Sequence, residues 1–69
     1  MEDSSTYKII ELVGTSPTSW EGAVQNVVEK ASATLRNMRI VEVMQLDAKI
    51  EDNKITTYRA KVKVSFKFE

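Results

Sequence analysis

The chain has neither cysteine nor histidine in its 69 residues. The first absence excludes disulfides and thiolate metal sites. The second removes the commonest transition-metal ligand. Together they exclude a Cys nucleophile, a His general base and a Ser-His-Asp triad. Lys, carboxylate or Tyr chemistry stays formally open, but no spacing points to it, so the chain reads as a non-enzyme. An excess of one charge is also missing, because ten basic residues balance ten acidic ones. Zero net charge leaves no electrostatic footprint for nucleic acid. The apolar runs are far too short to span a bilayer. The polar, acidic start "MEDSSTYK" is unlike a signal peptide. The expected location is cytoplasmic, with no nucleic-acid and no membrane partner.

Residues 1–5, "MEDSS", lack periodicity and are expected to fray. Residues 6–69 make one domain. A domain this small buries only about 60% of the surface its unfolded chain exposes. The usual remedies are disulfides, a metal or oligomerisation. Without Cys and His, the choice falls to oligomerisation or to a hard cation held by oxygen ligands.

"TYKIIELV", 6–13, is rich in β-formers and reads as a short strand. "GTSPTS", 14–19, is the sharpest local signal. Ser16 fits a helix N-cap with Pro17 at the first helical position, and Thr18-x-x-Glu21 offers a competing capping box. The spacing then predicts a helix over 17–36. Trp20, Ala23, Val24, Val27, Val28, Ala31 and Leu35 form its apolar stripe. Gly22 beside the stripe leaves room for another backbone. Glu21 and Arg36 suit the two ends of the helix dipole, and Asn37 suits a left-handed cap.

Two long strands follow. In "RNMRIVEVMQLDAKIE", 36–51, simple alternation puts Ile40, Glu42, Met44, Leu46, Ala48 and Ile50 on one face. Val41, Val43, Gln45, Asp47, Lys49 and Glu51 fall on the other. Asp52-Asn53 supplies turn conformations without Gly. In the last strand Thr56, Tyr58, Ala60, Val62, Val64, Phe66 and Phe68 point one way, against Ile55, Thr57, Arg59, Lys61, Lys63, Ser65 and Lys67. The order is β-α-β-β, an α+β fold with an antiparallel sheet and the helix across one face. A strand of about 14 residues spans roughly 45 Å, whereas a helix of about 20 residues covers only about 30 Å. Part of the hairpin must overhang, and its apolar residues need a lid. Other copies of the same chain are the expected lid.

In order and spacing, "YKIIELVGTS", "TLRN", "VEV" and "TYRAKVKVSFKFE" resemble the dodecins. The likeness runs from Tyr7 to Glu69. It implies a three-stranded antiparallel sheet partly wrapped around one helix, and twelve copies closed into a hollow homo-dodecamer. It also implies binding and storage of flavin (FMN or riboflavin), stacked between aromatic side chains. This chain departs from that pattern twice. Ile40 stands where the stacking Trp belongs, and Arg59 stands where a Gln meets the flavin edge. Ile has no π-face, so the stacked mode is disfavoured. "GTSPTSWE", "RIVEV" and "KITTYRAKVKVSFK" resemble the calcium dodecins, which implies calcium as the alternative ligand.

The candidate ligand contacts are therefore Ile40, Arg59 and Gln45, the last read on the opposite face from Ile40. Arg can stack on a ring or meet a phosphate. Calcium takes six to eight oxygens. The nearest approach to a cluster is Asp47, Glu51 and Asp52, completed from neighbouring copies; the simpler reading of Glu51 and Asp52 is a solvated turn. Arg59, Lys61, Lys63 and Lys67 read most simply as cross-strand ion pairing and edge protection. Trp20 reads as core or interface packing. Glu42, alone among apolar neighbours, is expected to pair with Arg36 or Arg39, of its own chain or of another copy.

Overall fold

The computed structural model describes residues 6–68, with the backbone alone at Phe68. The expected fraying of residues 1–5 lies outside the described residues. Four elements follow in order: β1 (Thr6–Ser16), α1 (Trp20–Ala31), β2 (Met38–Glu51) and β3 (Lys54–Phe68). The strands form one antiparallel sheet in the order β1-β3-β2, and α1 lies across one face.

β3 is the central strand, and its alternation is clean. Ala60, Val62 and Val64 are buried against Ala23 and Val27 of the helix. Ile10, Leu12, Val24, Val28, Met38 and Val41 pack around this core. Full burial of a Val side chain contributes about 1.5–3 kcal/mol, so Val62 and Val64 are major contributors among few. Because β3 is central, its lysines protect no edge, contrary to the simplest reading of the sequence.

The helix is shorter than its apolar stripe suggests. β1 continues through Gly14, Thr15 and Ser16, which pair with Ala60, Arg59 and Tyr58. Buried Ser16 accepts from the Thr18 and Ser19 backbone N–H groups through its hydroxyl, closing a turn instead of capping a helix. Ser19 is the N-cap, accepting from Gly22 N at 2.9 Å. Gly14 permits the close approach of α1, because a Cβ there would strike the Ala23 carbonyl and lie 2.9 Å from Val27 Cβ. Gly22 makes room for serine side chains, since its Cβ would meet Ser16 Oγ at 2.8 Å. At the other end the chain tightens into i→i+3 bonds, Ala33 to Lys30 and Thr34 to Ala31. Lys30, not Arg36, occupies the last helical turn. Asn37 is left-handed as expected, at φ 61°, but it bends the chain into β2.

The hairpin turns at Asp52 and Asn53, both at positive φ, between the paired Glu51 and Lys54. The register of β2 on β3 slips three times, once between Val43 and Gln45. Met44 is the extra residue there. Val41 and Val43 face the helix before it, and Leu46 and Ala48 face the helix after it, opposite Val64, Val62, Ala60 and Tyr58. Continuous alternation over β2 is therefore wrong. Glu42 leaves the apolar face and lies opposite Lys63, whose other neighbour is Glu11; within one chain it does not pair with Arg36 or Arg39.

A helix of 12 residues covers about 18 Å, while the molecule is 55 Å long. The overhang expected from the sequence is present. Ile40, Val43, Met44, Leu46, Ile50 and Ile55 are exposed along the hairpin, and Tyr7, Ile9, Val13 and Trp20 elsewhere.

Candidate functional site

The sheet face away from the helix is built in rungs. Each outward residue of β3 has a β1 neighbour on one side and a β2 neighbour on the other. The rungs read Ile9–Ser65–Ile40, Glu11–Lys63–Glu42, Val13–Lys61–Gln45 and Thr15–Arg59–Asp47. The last two rungs enclose an open depression of about 260 Å³ lined by Val13, Gln45, Asp47, Arg59 and Lys61.

Asp47 and Arg59 hold one another through two parallel bonds. Arg59 Nε donates to Oδ1 at 2.7 Å and Nη2 donates to Oδ2 at 2.9 Å. Such a fork fixes the plane of the guanidinium as well as its position. The hydrogen bond from Arg59 holds the Asp47 carboxyl below its ordinary range, against a small opposing effect of burial. The bond to Asp47 raises the guanidinium in turn. On the helix side, the backbone carbonyl of Asp47 accepts from Trp20 Nε1 at 2.9 Å. Trp20 also meets Tyr58 edge-on, with ring centroids 4.9 Å apart. Asp47 thus ties the helix start to the outer face. Trp20 is a packing and anchoring residue, as its place on the apolar stripe implies.

Gln45 and Arg59 share the depression. The Met44 bulge puts Gln45 on the same face as Ile40, correcting the expected opposite placement. Ile40 does not join them: its rung lies six β3 positions from that of Arg59, about 20 Å along the strand. It is 64% exposed and aliphatic. Trp20 and Tyr58 lie on the helix side and Tyr7 lies one rung beyond Ile9, so Ile40 itself offers no ring to sandwich a flavin.

Asp47, Glu51 and Asp52 do not gather within one chain. Asp47 is engaged by Arg59, Glu51 pairs with Lys49 at 3.4 Å, and Asp52 forms the turn. Among the described residues no group of three carboxylates could hold a metal ion. Within one chain this oxygen set does not fit calcium. Val13 was missed as a lining residue, because only the β1–β3 pairing brings it beside Lys61.

A helix laid across a sheet ordered β1-β3-β2, with a long overhanging hairpin, defines a narrow class of small α+β domains. The chain belongs to the dodecin family, whose family model matches residues 6–69. It is 41% identical over 63 residues to calcium dodecin of Mycobacterium tuberculosis, covering 91% of this chain and 89% of that one. It is 35% identical to dodecin of Thermus thermophilus, covering 91% of each. The structure of dodecin from Streptomyces coelicolor superposes with a TM-score of 0.94 at 38% identity, over 99% of this chain and 97% of that one. A structure of the calcium-chelating antigen calcium dodecin from Mycobacterium tuberculosis, described with a novel calcium-binding site, superposes with a TM-score of 0.83 at 40% identity, over 94% and 93%. Among the described residues no helix is long and apolar enough to cross a membrane.

Proposed function

We propose that this chain is the subunit of a hollow homo-dodecamer that binds and stores a small ligand or ion in the cytoplasm, without catalysing a reaction. The observation that carries this reading is the uncovered apolar surface. Ile9, Ile40, Ile50 and Ile55 are each more than half exposed, and Val43 and Leu46 stay exposed on the helix side beside Trp20 and Val24. One short helix cannot cover them, and copies of the same chain supply the lid that a small domain needs. Membership of the dodecin family supports the same assembly.

The ligand is not a flavin sandwiched in stacked pairs, because Ile40 offers no ring. Calcium is the second reading, favoured by the 41% identity to a protein named calcium dodecin. In that reading Asp47, Glu51 and Asp52 act as ligands only where neighbouring subunits bring carboxylates together. Native mass spectrometry of protein purified without added ligand tests both. Twelve chains are expected. Small ion adducts that a chelator removes would support calcium, and a flavin-sized increment would show that an aromatic clamp is dispensable. A monomer at micromolar concentration would refute the shell.

A further inference from the structure

We infer that the depression between the Lys61 and Arg59 rungs is an anion site for a phosphate group, inorganic or carried as a phosphate monoester. The inference deepens the binding role proposed above by naming the chemistry of one contact. Lys61 is exposed, its cross-strand neighbours are the uncharged Val13 and Gln45, and no carboxylate pairs with it among the described residues. Asp47, the one acid lining the depression, is already matched by Arg59. The five lining residues therefore carry one net positive charge, while the adjacent Glu11–Lys63–Glu42 rung carries one net negative charge.

Its donors converge. Arg59 and Lys61 are alternate residues on one face of β3, about 7 Å apart along the strand, a span that one phosphate bridges with a hydrogen bond to each side. Asp47 takes Nε and Nη2 of Arg59, which leaves Nη1 with donors to give, because a guanidinium carries five. The fork to Asp47 locks the guanidinium plane, so ordering this long side chain is no longer charged against binding. The Gln45 amide stands opposite Lys61 and supplies a further N–H. Asp47 is a positioning residue in this site; Lys61, Arg59 and Gln45 are its contacts.

The test is equilibrium dialysis of the intact protein against radiolabelled inorganic phosphate at low ionic strength, where surface charge is least screened. Wild type is expected to retain phosphate. Lys61→Gln should lower the association constant about tenfold, the worth of one charge-assisted contact, and Lys61→Arg should restore most of it. Lys49→Gln, on the same face but paired with Glu51, should change it by less than about twofold. No retention by wild type, or equal losses in Lys49→Gln and Lys61→Gln, would overturn the site. Native masses of the same samples separate the two ideas. An intact dodecamer that retains no phosphate removes the anion site alone; retention by a chain that does not assemble removes the shell alone.

Discussion

Replacing Gly14 with alanine puts a methyl group against the main-chain carbonyl of Ala23 and 2.9 Å from Val27 Cβ. Neither obstacle can swing aside, since one is helix backbone and the other sits at the root of a buried side chain. Relief requires α1 to lift from β1 by about an ångström, to recover ordinary van der Waals separation. That movement loosens the contacts of Ala23 and Val27 with Ala60 and Val62, the centre of the core. Overpacking of this kind costs about 1–3 kcal/mol, and fixed backbone puts it near the top of that range. The usual gain from a less flexible unfolded chain returns about 0.4–1 kcal/mol. The net loss is about 2 kcal/mol, or roughly 8–16 °C in melting temperature for a domain of this size. Circular dichroism melts at one fixed chain concentration measure it. Gly22→Ala is the comparison: its Cβ would lie 2.8 Å from Ser16 Oγ and 3.0 Å from Ser19 Oγ, side-chain ends rather than backbone, and a better helix former returns up to about 1 kcal/mol against the hydroxyl bonds it disturbs. It should melt within a few degrees of wild type. If Gly14→Ala melts there too, or Gly22→Ala costs as much, the close approach of helix and sheet is not what Gly14 serves.

Two further outcomes are expected. The Asp47 carboxyl, followed by NMR pH titration, should titrate below the ordinary aspartate range in wild type and within it in Arg59→Gln, because the lowering comes first from the Arg59 hydrogen bond. A carboxyl lowered on folding adds stability above its unfolded value, and that contribution is lost as pH falls through the lowered one. Wild type should therefore begin to lose the contribution of this pair as pH falls below the ordinary aspartate range, and the variant should have none to lose. The double substitution Ile40→Trp with Arg59→Gln restores both side chains that the dodecin pattern associates with flavin. It should quench the fluorescence of added riboflavin while wild type leaves it unchanged. Equal quenching by both proteins would show that the ring at this position is not what stacks the ligand.

Much of the architecture could be read directly from residue order. β3 alternates without interruption, so Ala60, Val62 and Val64 announced the core, and Asp52-Asn53 announced the turn at positive φ. The helix was overestimated at both ends for different reasons. At its start Ser16 and Pro17 look like a cap and a first turn, but β1 gains three more rungs on β3 by continuing through Gly14, Thr15 and Ser16. That gain depends on a partner more than forty residues away, which local signals do not contain. At its end the apolar stripe runs on to Leu35, which the tightening turn leaves lining a depression with Leu12 and Val27. The outer-face site was only half legible. Arg59 and Gln45 were recognised, but the faces of β2 were assigned by unbroken alternation, which separated Gln45 from Ile40. The signal was present in Glu42, the one charge that alternation stranded among apolar neighbours. A charge out of place in a clean pattern marks a slip of register, and the slip at Met44 returns Glu42 to the side of Lys63.

That slip gives β2 one residue of slack. The side chain at Met44 is exposed and pairs with nothing across the ladder, so the sheet places no demand on its identity. Val43 and Gln45 on either side of it already sit opposite the consecutive residues Val62 and Lys61. Omitting Met44 would therefore close the bulge and leave Leu46 toward the helix and Asp47 toward the outer face. The descendants of this chain can rewrite position 44, or lose it, and inside and outside stay where they are over the rest of the hairpin.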